Sequence, residues 1–381
     1  MLFMVGCSDD DGDSADGGPE TDGATETDGA TETDGATETD GATETDGATE
    51  TDGATETDGA TETDGEVDGS VDQVETIVDE LTHSTDYNFS ALLAALDTAS
   101  LTGGFDEDVD GPHTVFAPSD NATGIDGFPT DTAELTNALQ YHVVSGELTP
   151  SASTFLSTLS TDANGNNYSL YVSVSGSTIT LNSQMGDAVV YNVVDTIEAT
   201  NGVIHVIDRV LEVPNIAEMA AAAGFTELLG AVAESGSETS NFMLDLLSND
   251  TEVVTLLAPN DAAFLDLESS LDDPIETIFT AAEISDLLLT HVFDRQGFSA
   301  PVLAASVADG PVSTETGEDI TATAEDLSQN PEVQATFRGP DNVAAARIVP
   351  GGKNIVVLNG VMHEIDTALL PAGFLPPSGE L

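Results

Sequence analysis

Two stretches of the 381-residue chain place a histidine and an aspartate at the same spacing after an Asn-Gly pair. Residues 201–214 read NGVIHVIDRVLEVP and residues 359–371 read NGVMHEIDTALLP. His205 and Asp208 in the first stretch correspond to His363 and Asp366 in the second, in a chain with only six histidines. Such residues could supply the base and the orienting carboxylate of a hydrolase, or ligands for a metal ion. The alternative is a structural role in a domain that occurs twice.

The catalytic interpretation also needs a nucleophile. Ser119 is the candidate in the first half of the chain, but Asn260 occupies the equivalent position in the second half. The chain has no GxSxG sequence, which would present a serine on a strained turn. We therefore expect no enzymatic activity.

A zinc site needs three or four ligands from histidine, cysteine or carboxylate side chains. Each half offers two motif histidines, which are 63 residues apart in the first half (His142, His205) and 72 in the second (His291, His363). No closely spaced histidine pair occurs. Structural, hydrogen-bonded histidines are the favoured interpretation, with no metal or other cofactor, and a metal-dependent activity is a less favoured alternative.

The residues around His205 predict a buried strand. In VIHVID, the two-residue period of a strand puts Val203, His205 and Ile207 on one face and Asp208 on the other. Both faces are apolar, so His205 and Asp208 must find hydrogen-bond partners or destabilise the fold. Asp120 and backbone groups near His142 are the candidate partners.

The elements that would hold these residues alternate between helical and strand patterns. Apolar residues at helical spacing predict helices within residues 71–100 and in TAELTNALQYHVV, residues 132–144. TVFAPSDNA, residues 114–122, predicts a strand that stops at Pro118. YSLYVSVSGSTITLNS, residues 168–183, alternates around a Ser-Gly turn and predicts a hairpin.

The same order of elements returns in the second half. TLLAPNDAAF repeats TVFAPSDNA, LLLTHVF repeats ALQYHVV, and Phe225 corresponds to Phe89. The offset between equivalent residues grows along the chain from 136 to 158, as loop insertions in the second half would produce. A period this long indicates a duplicated domain rather than a solenoid of short repeats.

This series of motifs resembles the fasciclin domain, over residues 71–214 and again over residues 215–373. The resemblance implies an α+β fold with a β wedge or sandwich flanked by helices, and a role in extracellular adhesion. It implies no particular ligand. We interpret the motif residues of both domains as structural: Asp120, Tyr141, His142, His205, Asp208, Asp261, His291, His363 and Asp366.

Tyr141 and His142 also resemble a segment that is implicated in receptor binding in animal members of the family. The simpler interpretation is a helix that packs its aromatic side chain into the core.

The second domain departs from the first at several positions. Phe264 corresponds to Thr123, Thr290 to Tyr141 and Glu364 to Val206. The second domain also has an insertion ahead of its last motif, residues 328–354.

The charge of the chain excludes one class of partner and suggests an environment. The chain has 71 acidic and 5 basic residues, a net charge of −66. Nucleic-acid binding is excluded because phosphate contacts need lysine and arginine. Residues 1–70 hold 23 of the acids, so the rest of the chain keeps 48 acids against 5 bases. Such an excess fits a halophilic or marine source, where salt screens the repulsion.

The N-terminus predicts a lipid anchor and a stalk. MLFMVGC places Cys7 after a short apolar run that ends in a small residue, as in the end of a lipoprotein signal. The charged start of such a signal is missing, so we interpret residues 1–7 as a remnant whose true start lies upstream of Met1. From Glu20 to Thr61 the hexapeptide ETDGAT repeats seven times, and residues 8–70 predict a disordered acidic stalk. Residues 374–381 predict a short tail.

Together these features predict a non-catalytic protein on the extracellular side of a membrane, anchored by lipid, that binds a surface or matrix protein or a polysaccharide. The alternative is a surface protein that binds a small ligand or polysaccharide in a pocket.

If the anchor prediction is correct, the mature protein begins at Cys7 and its first residue carries lipid. Mass spectrometry of the protein from its native membrane tests this prediction. An unmodified Cys7 in a chain that retains Met1 would contradict it.

Overall fold

The computed structural model describes residues 75–104, 112–182, 191–236, 241–271, 273–297, 300–325 and 335–375. Cys7, the acidic stalk and residues 376–381 lie outside the described residues. Both predicted domains fall within one compact unit, residues 69–381. Among the residues that the structure describes, none of the helices combines the length and the apolar character of a membrane span.

The first domain begins with helices and continues with strands. Its helices are α1 (Ile77–His83), α2 (Ser90–Thr98) and α3 (Thr132–Tyr141), and its strands are β1 (His113–Thr123), β2 (Val143–Ser145), β3 (Thr154–Thr161), β4 (Asn167–Ser175), β5 (Thr178–Leu181), β6 (Tyr191–Ala199) and β7 (Gly202–Arg209). The strands form a closed barrel in chain order. β1 and β7, which carry the first and last motifs, close the barrel as a parallel pair.

The second domain repeats this plan with more helices and shorter strands. Its helices are α4 (Ile216–Ala223), α5 (Thr226–Glu234), α6 (Phe242–Leu247), α7 (Asp261–Leu271), α8 (Ile275–Ile278) and α9 (Ala281–Leu289), and its strands are β8 (Val254–Pro259), β9 (Gly310–Ser313), β10 (Asp319–Ala324), β11 (Ala335–Arg338), β12 (Ala346–Arg347), β13 (Ile355–Val357) and β14 (Gly360–Ile365). Strands β12-β11-β10-β9 form one sheet and β13-β14-β8 form another. The predicted α+β class with two tandem domains is confirmed.

The parallel pairing of first and last strands has the same register in both domains. Phe116 lies opposite His205 in the first domain, and Leu257 lies opposite His363 in the second. Each last strand is buried over most of its length, which satisfies the expectation from the sequence that both faces are covered.

The Asn-Gly pair before each last strand makes this pairing possible. A Cβ atom on Gly202 would lie 1.9 Å from the His113 carbonyl oxygen, and one on Gly360 would lie 1.9 Å from that of Val254. The φ angles of the two glycines, 150° and 144°, are also ones that other residues rarely adopt. Only glycine therefore lets the two backbones come this close.

The asparagine of each pair joins the first helix to the strands. The side-chain oxygen of Asn201 accepts a hydrogen bond from the Ile77 N–H at 2.8 Å, and that of Asn359 accepts one from Ile216 at 2.9 Å. These N–H groups belong to the first turns of α1 and α4, where no backbone acceptor within the helix is available. The backbone oxygens of Asn201 and Asn359 accept from the first residues of β1 and β8.

The prediction that the first motif strand stops at Pro118 is wrong. β1 continues to Thr123, with a register shift between Pro118 and Thr123. Proline removes one backbone donor, and the irregular segment lets the pairing with β7 resume beyond it. In the second domain β8 does end at the proline, because the Asn260 side chain caps the N-terminus of α7 by accepting from the Ala263 N–H at 3.0 Å.

The second domain extends past its predicted boundary at residue 373. Phe374 is 8% exposed, belongs to the apolar core of the helices and stacks on Phe279 with ring centroids 4.2 Å apart. Burial of this aromatic side chain makes the start of the predicted tail part of the folded domain.

The two domains share apolar and polar contacts. Val356 and Val361 of the second domain belong to the same buried cluster as Leu170 of the first. The Val356 N–H donates to Ser169 Oγ at 3.0 Å, and the Leu358 N–H donates to the Pro214 carbonyl at 2.9 Å.

Replacing Gly360 by alanine should lower the free energy of unfolding by about 3 kcal/mol or more, because the strands cannot approach around a Cβ atom. Gly310→Ala is the matched control, since Gly310 has a φ of 132° but open space around its Cα. That variant should lose only the strain of the unusual backbone, about 1–2 kcal/mol. Denaturant unfolding measures both, and equal losses would contradict the role of close approach.

Candidate functional site

His205 and His363 are buried on the last strand of their domains and use both ring nitrogens. His205 Nε2 lies 2.9 Å from the Leu148 carbonyl, and Nδ1 lies 2.9 Å from the Thr196 hydroxyl. His363 Nε2 lies 2.8 Å from the Val302 carbonyl, and Nδ1 accepts from the Asn354 N–H at 3.1 Å. A carbonyl only accepts, so each Nε2 carries the hydrogen, and each histidine ties the last strand to a loop far away in sequence.

The aspartates of the two motifs have partners other than these histidines. Asp208 accepts two hydrogen bonds from Asn192, one from its N–H at 2.9 Å and one from its side-chain amide at 2.7 Å. Asp366 accepts from the Arg347 N–H at 2.7 Å. Each aspartate thus connects the last strand with another strand of its domain, and the sequence spacing that suggests a catalytic pair has a structural cause.

His142 and His291 follow the helix that precedes the hairpin in each domain. Nδ1 of His142 donates to the Ala138 carbonyl, and its Nε2 accepts from the Leu211 N–H, both at 2.9 Å. Nδ1 of His291 donates to the Leu287 carbonyl at 2.9 Å, and its Nε2 accepts from the Leu369 N–H at 2.7 Å. These two histidines therefore carry the hydrogen on Nδ1 and attach a helix end to the segment after the last strand.

Asp120 and Asp261 cap helices that begin far away in sequence. Asp120 accepts from the Ser90 hydroxyl at 2.5 Å and from the Ala91 N–H at 3.0 Å, at the first turn of α2. Asp261 accepts from the Thr226 hydroxyl and from the Glu227 N–H at the first turn of α5. A carboxylate at this place satisfies free N–H groups and interacts favourably with the helix dipole. Asp120 was one of the candidate partners of His205 and Asp208, and this candidate is wrong, because its carboxylate binds the first turn of α2.

Tyr141 lies in the core, as the simpler interpretation of its segment requires. It is 1% exposed, its hydroxyl donates to the Ser169 carbonyl at 2.9 Å, and the same hydroxyl accepts from the Asn182 amide at 2.8 Å. Thr290, at the equivalent place in the second domain, donates to the Asp286 carbonyl instead.

Burial keeps the motif histidines neutral. It lowers the pKa of His142, His291 and His363 to about 4, and it lowers the pKa of His205 in the same direction. The exposed His83 behaves in the opposite way, because its hydrogen bond to Glu75 raises its pKa. A buried, neutral ring with both nitrogens in use is not placed to exchange protons with a substrate.

The alternatives to a structural role find little support at these histidines. In the described part of the chain, Glu75, Asp79 and His83 are the only group of three possible metal ligands whose ligand atoms lie within 4.8 Å of one another, and all three are exposed. The motif histidines and aspartates do not belong to that group. Ser119 is 8% exposed, and both nitrogens of His205 are bonded to other groups.

A cleft of about 450 Å³ lies between the two domains. It is lined by Ser153, Thr154, Phe155, Tyr171, Ala223, Gly224, Phe225, Asn260, Asp261, Ala262, Pro350, Gly351 and Glu364. Phe155 and Tyr171 pair across β3 and β4, with ring centroids 4.9 Å apart. The volume of the cleft lies within the range of small-ligand sites.

Comparison with known proteins identifies the family. A family model for the fasciclin domain matches residues 87–214 and 223–371. The chain belongs to the fasciclin domain family. The two matches cover most of the two predicted domains, and the fasciclin motifs lie inside them.

Three similar relatives come from distant organisms. A fasciclin-like arabinogalactan protein of Arthroderma benhamiae is 27% identical over 176 residues, 46% of this chain and 35% of that protein. The transforming growth factor-beta-induced protein ig-h3 of Sus scrofa is 27% identical over 278 residues, 68% of this chain and 35% of that protein. The Synechocystis protein sll1735 is 34% identical over 135 residues, 33% of this chain and 91% of that protein. The chain thus spans 35% of the length of each of the first two.

Among solved structures, a FAS1 domain pair from the insect cell adhesion molecule fasciclin I matches with a TM-score of 0.43 and 17% identity. The match covers 75% of this chain and 93% of that one.

Sequence reasoning missed several residues of the fasciclin framework. Asn201 and Asn359 accept hydrogen bonds from the first helix of each domain. Asn192 is hydrogen-bonded to Asp208, and Thr196 is hydrogen-bonded to His205. The repeated Asn before each Gly was a usable signal for the first pair. Asn192 and Thr196 have no such signal, because their role depends on the pairing of β6 with β7.

The buried histidines predict that the fold weakens in acid. Their ordinary pKa is 6.5, and for three of them the folded value is about 4, so the unfolded chain binds more protons between these values. The stability is fully present above about pH 6.5 and is lost as the pH falls toward 4, by about 3 kcal/mol per histidine. Denaturant unfolding at several pH values in high salt measures this loss.

His291→Gln should make the loss between pH 6.5 and 4 smaller, because one group that protonates on unfolding is removed. His83→Gln is the control and should leave the loss in place, since the pKa of His83 is raised in the folded state. A free energy of unfolding that stays constant from pH 7 to pH 4 would contradict the neutral, buried state.

Proposed function

We propose that this chain is a non-catalytic cell-surface protein that binds a matrix or surface component through its two fasciclin domains. In this proposal a lipid at Cys7 anchors the protein on the extracellular side of the membrane, and the acidic stalk holds the domains away from it. The partner is a protein or a polysaccharide.

The observation that carries the proposal is the tandem pair of fasciclin domains in one compact unit. Fasciclin domains are typically adhesion-related, and the motif residues that could suggest chemistry are all used within the fold. Backbone and side-chain partners occupy both nitrogens of all four motif histidines.

The charge of the protein supports a partner other than nucleic acid. The net charge is −66, and one of the five bases, Arg295, is held by Glu252 at 2.9 Å and Glu315 at 3.0 Å. A surface of this kind repels phosphate backbones and favours neutral or basic partners.

The cleft between the domains supports the second candidate, a surface protein that binds a small ligand or a sugar. Its volume of about 450 Å³ lies within the range of small-molecule sites. This candidate and adhesion are compatible if the cleft accepts a group that belongs to a larger partner.

Binding of the full chain to arrays of matrix proteins and polysaccharides in molar salt tests the proposal. High salt is required because low salt would exaggerate the attraction of basic molecules to the acidic surface. We expect saturable binding to a small number of array members that a chelator does not abolish. Gly360→Ala, which disturbs the second domain, should reduce it. The absence of saturable binding to any surface component, or turnover of a bound component, would contradict the proposal.

A further inference from the structure

Some of the features that distinguish the second domain from the first lie at the cleft between the domains. Glu364 stands where the first domain has Val206, and Asn260 stands where it has Ser119. In the structure the Asn260 amide donates to Glu364 Oε1 at 3.0 Å, so the two changes form one polar pair. Both residues line the cleft.

The insertion of the second domain contributes to the same place. Pro350 and Gly351 lie in this insertion and form part of the wall. The next residue, Gly352, makes room for the glutamate, because a Cβ atom there would lie 2.7 Å from Glu364 Oε2. The Glu364 N–H donates to the Gly352 carbonyl at 2.7 Å.

The equivalent position in the first domain shows what the fold alone requires. Val206 is fully buried in the apolar core beside α1 and α2. A carboxylate on a strand with this register would be costly in such a core, so its presence in the second domain needs another explanation. In the second domain this position opens into a cleft where the carboxylate has polar contacts, and this placement explains why Glu364 is present.

The charge of the cleft selects the class of ligand. Its lining has two carboxylates, Asp261 and Glu364, and includes no lysine, arginine or histidine. The nearest base in sequence, Lys353, is not part of the lining. Two carboxylates at the wall attract a cation, and the net charge of the whole protein adds to this attraction.

The aromatic side chains of the cleft favour an organic cation over a metal ion. Phe155, Tyr171 and Phe225 line it together with the carboxylates. Aromatic faces bind ammonium groups and also pack against the methylene groups that carry them. The carboxylates of the cleft do not belong to the group of described residues that brings three metal ligands together.

We propose that this cleft binds an alkylammonium group, which is the end of a lysine side chain on a partner protein or a free small amine. The carboxylate of Glu364 would contact the charged nitrogen, Asp261, which caps α5, would add negative charge at the wall, and the aromatic rings would contact the carbon chain. This inference rests on the proposed function, because it names the chemistry that the fasciclin pair recognises.

Isothermal titration of the full chain in molar NaCl tests the site with three probes. The probes are Nα-acetyl-lysine methylamide, its Nε-acetylated analogue and n-butylammonium. We expect the first and third to bind and the acetylated analogue, which has no charge, to fail. Tighter binding of the lysine derivative than of n-butylammonium indicates a protein partner, and equal binding indicates that a free amine suffices.

Three variants separate binding at the site from the general electrostatic attraction of the protein. Glu364→Gln keeps the contact with Asn260 and removes the charge, and it should weaken binding of the lysine derivative about tenfold or more. Glu198→Gln changes the net charge equally at an exposed position of β6 and should leave the affinity unchanged. The double variant Asn260→Ser/Glu364→Val introduces the residues of the first domain and should weaken binding at least as much as Glu364→Gln, with thermal unfolding as the check on its fold.

Four results would overturn the inference. The first is equal affinity for Glu364→Gln and Glu198→Gln, and the second is equal binding of the acetylated analogue. The third is binding of a neutral disaccharide, which would mark a sugar site. The fourth is displacement of the amine by calcium at equal ionic strength, which would mark an inorganic cation site.

The same variants distinguish this inference from the proposed function. If Glu364→Gln loses the amine but keeps its binding to the array partner, adhesion stands and the cleft is not its contact. If the amine binds while no array component does, the cleft stands and adhesion fails.

Discussion

The parallel pairing of the first and last strands is the interaction on which each domain depends. It joins residues nearly a whole domain apart in sequence, β1 with β7 and β8 with β14. The surrounding motif residues each serve this pairing. Glycine allows the close approach, asparagine attaches the first helix, and the histidine and aspartate attach the last strand to its neighbours. The motifs recur because the chain contains the same pairing of first and last strands twice.

Hydrogen bonds explain why buried polar residues can occupy this joint between the first and last strands. A buried polar group destabilises a fold unless it is hydrogen-bonded, and here the histidines use both nitrogens. Because desolvation holds them neutral, these histidines add no buried charge to the joint at neutral pH. This arrangement leaves the many acids of the protein to the surface, where salt can screen them.

Much of the fold could be predicted from the sequence, because order and spacing of the motifs repeat. The first and last motif strands, the hairpin of β4 and β5, the helices around Leu135 and Phe225 and the α+β class follow from local patterns, whereas β3 and β9 to β12 were not predicted. The partners of the motif residues could not be predicted in this way. His205 meets Leu148 and Thr196, and Asp120 meets the start of α2, and each contact exists only after distant segments have packed. The predicted strand end at Pro118 was wrong because the loss of one backbone hydrogen-bond donor does not end a strand that can form a bulge.

The differences between the domains gave only a partial signal of the cleft. Glu364 stood out as a departure from Val206, but sequence cannot tell that it meets Asn260 and the inserted loop beside Phe155 of the other domain. The duplication makes a comparison of the two domains possible, but only the folded structure shows where the residues that differ lie. The histidines that the two domains share hold each domain together, whereas Asn260 and Glu364, which differ between the domains, line the cleft.

The most direct test of the structural role of the motifs is native-state hydrogen exchange at Leu211 and Leu369. Their amides donate to Nε2 of His142 and His291, at 2.9 Å and 2.7 Å, directly after the last strand of each domain. If the histidines hold the last strand of each domain in place, the hydrogens of these amides exchange with solvent only when their domain unfolds. The opening free energy of each amide then equals the free energy of unfolding. Fast exchange at both amides, while the neighbouring strand stays protected, would contradict the account.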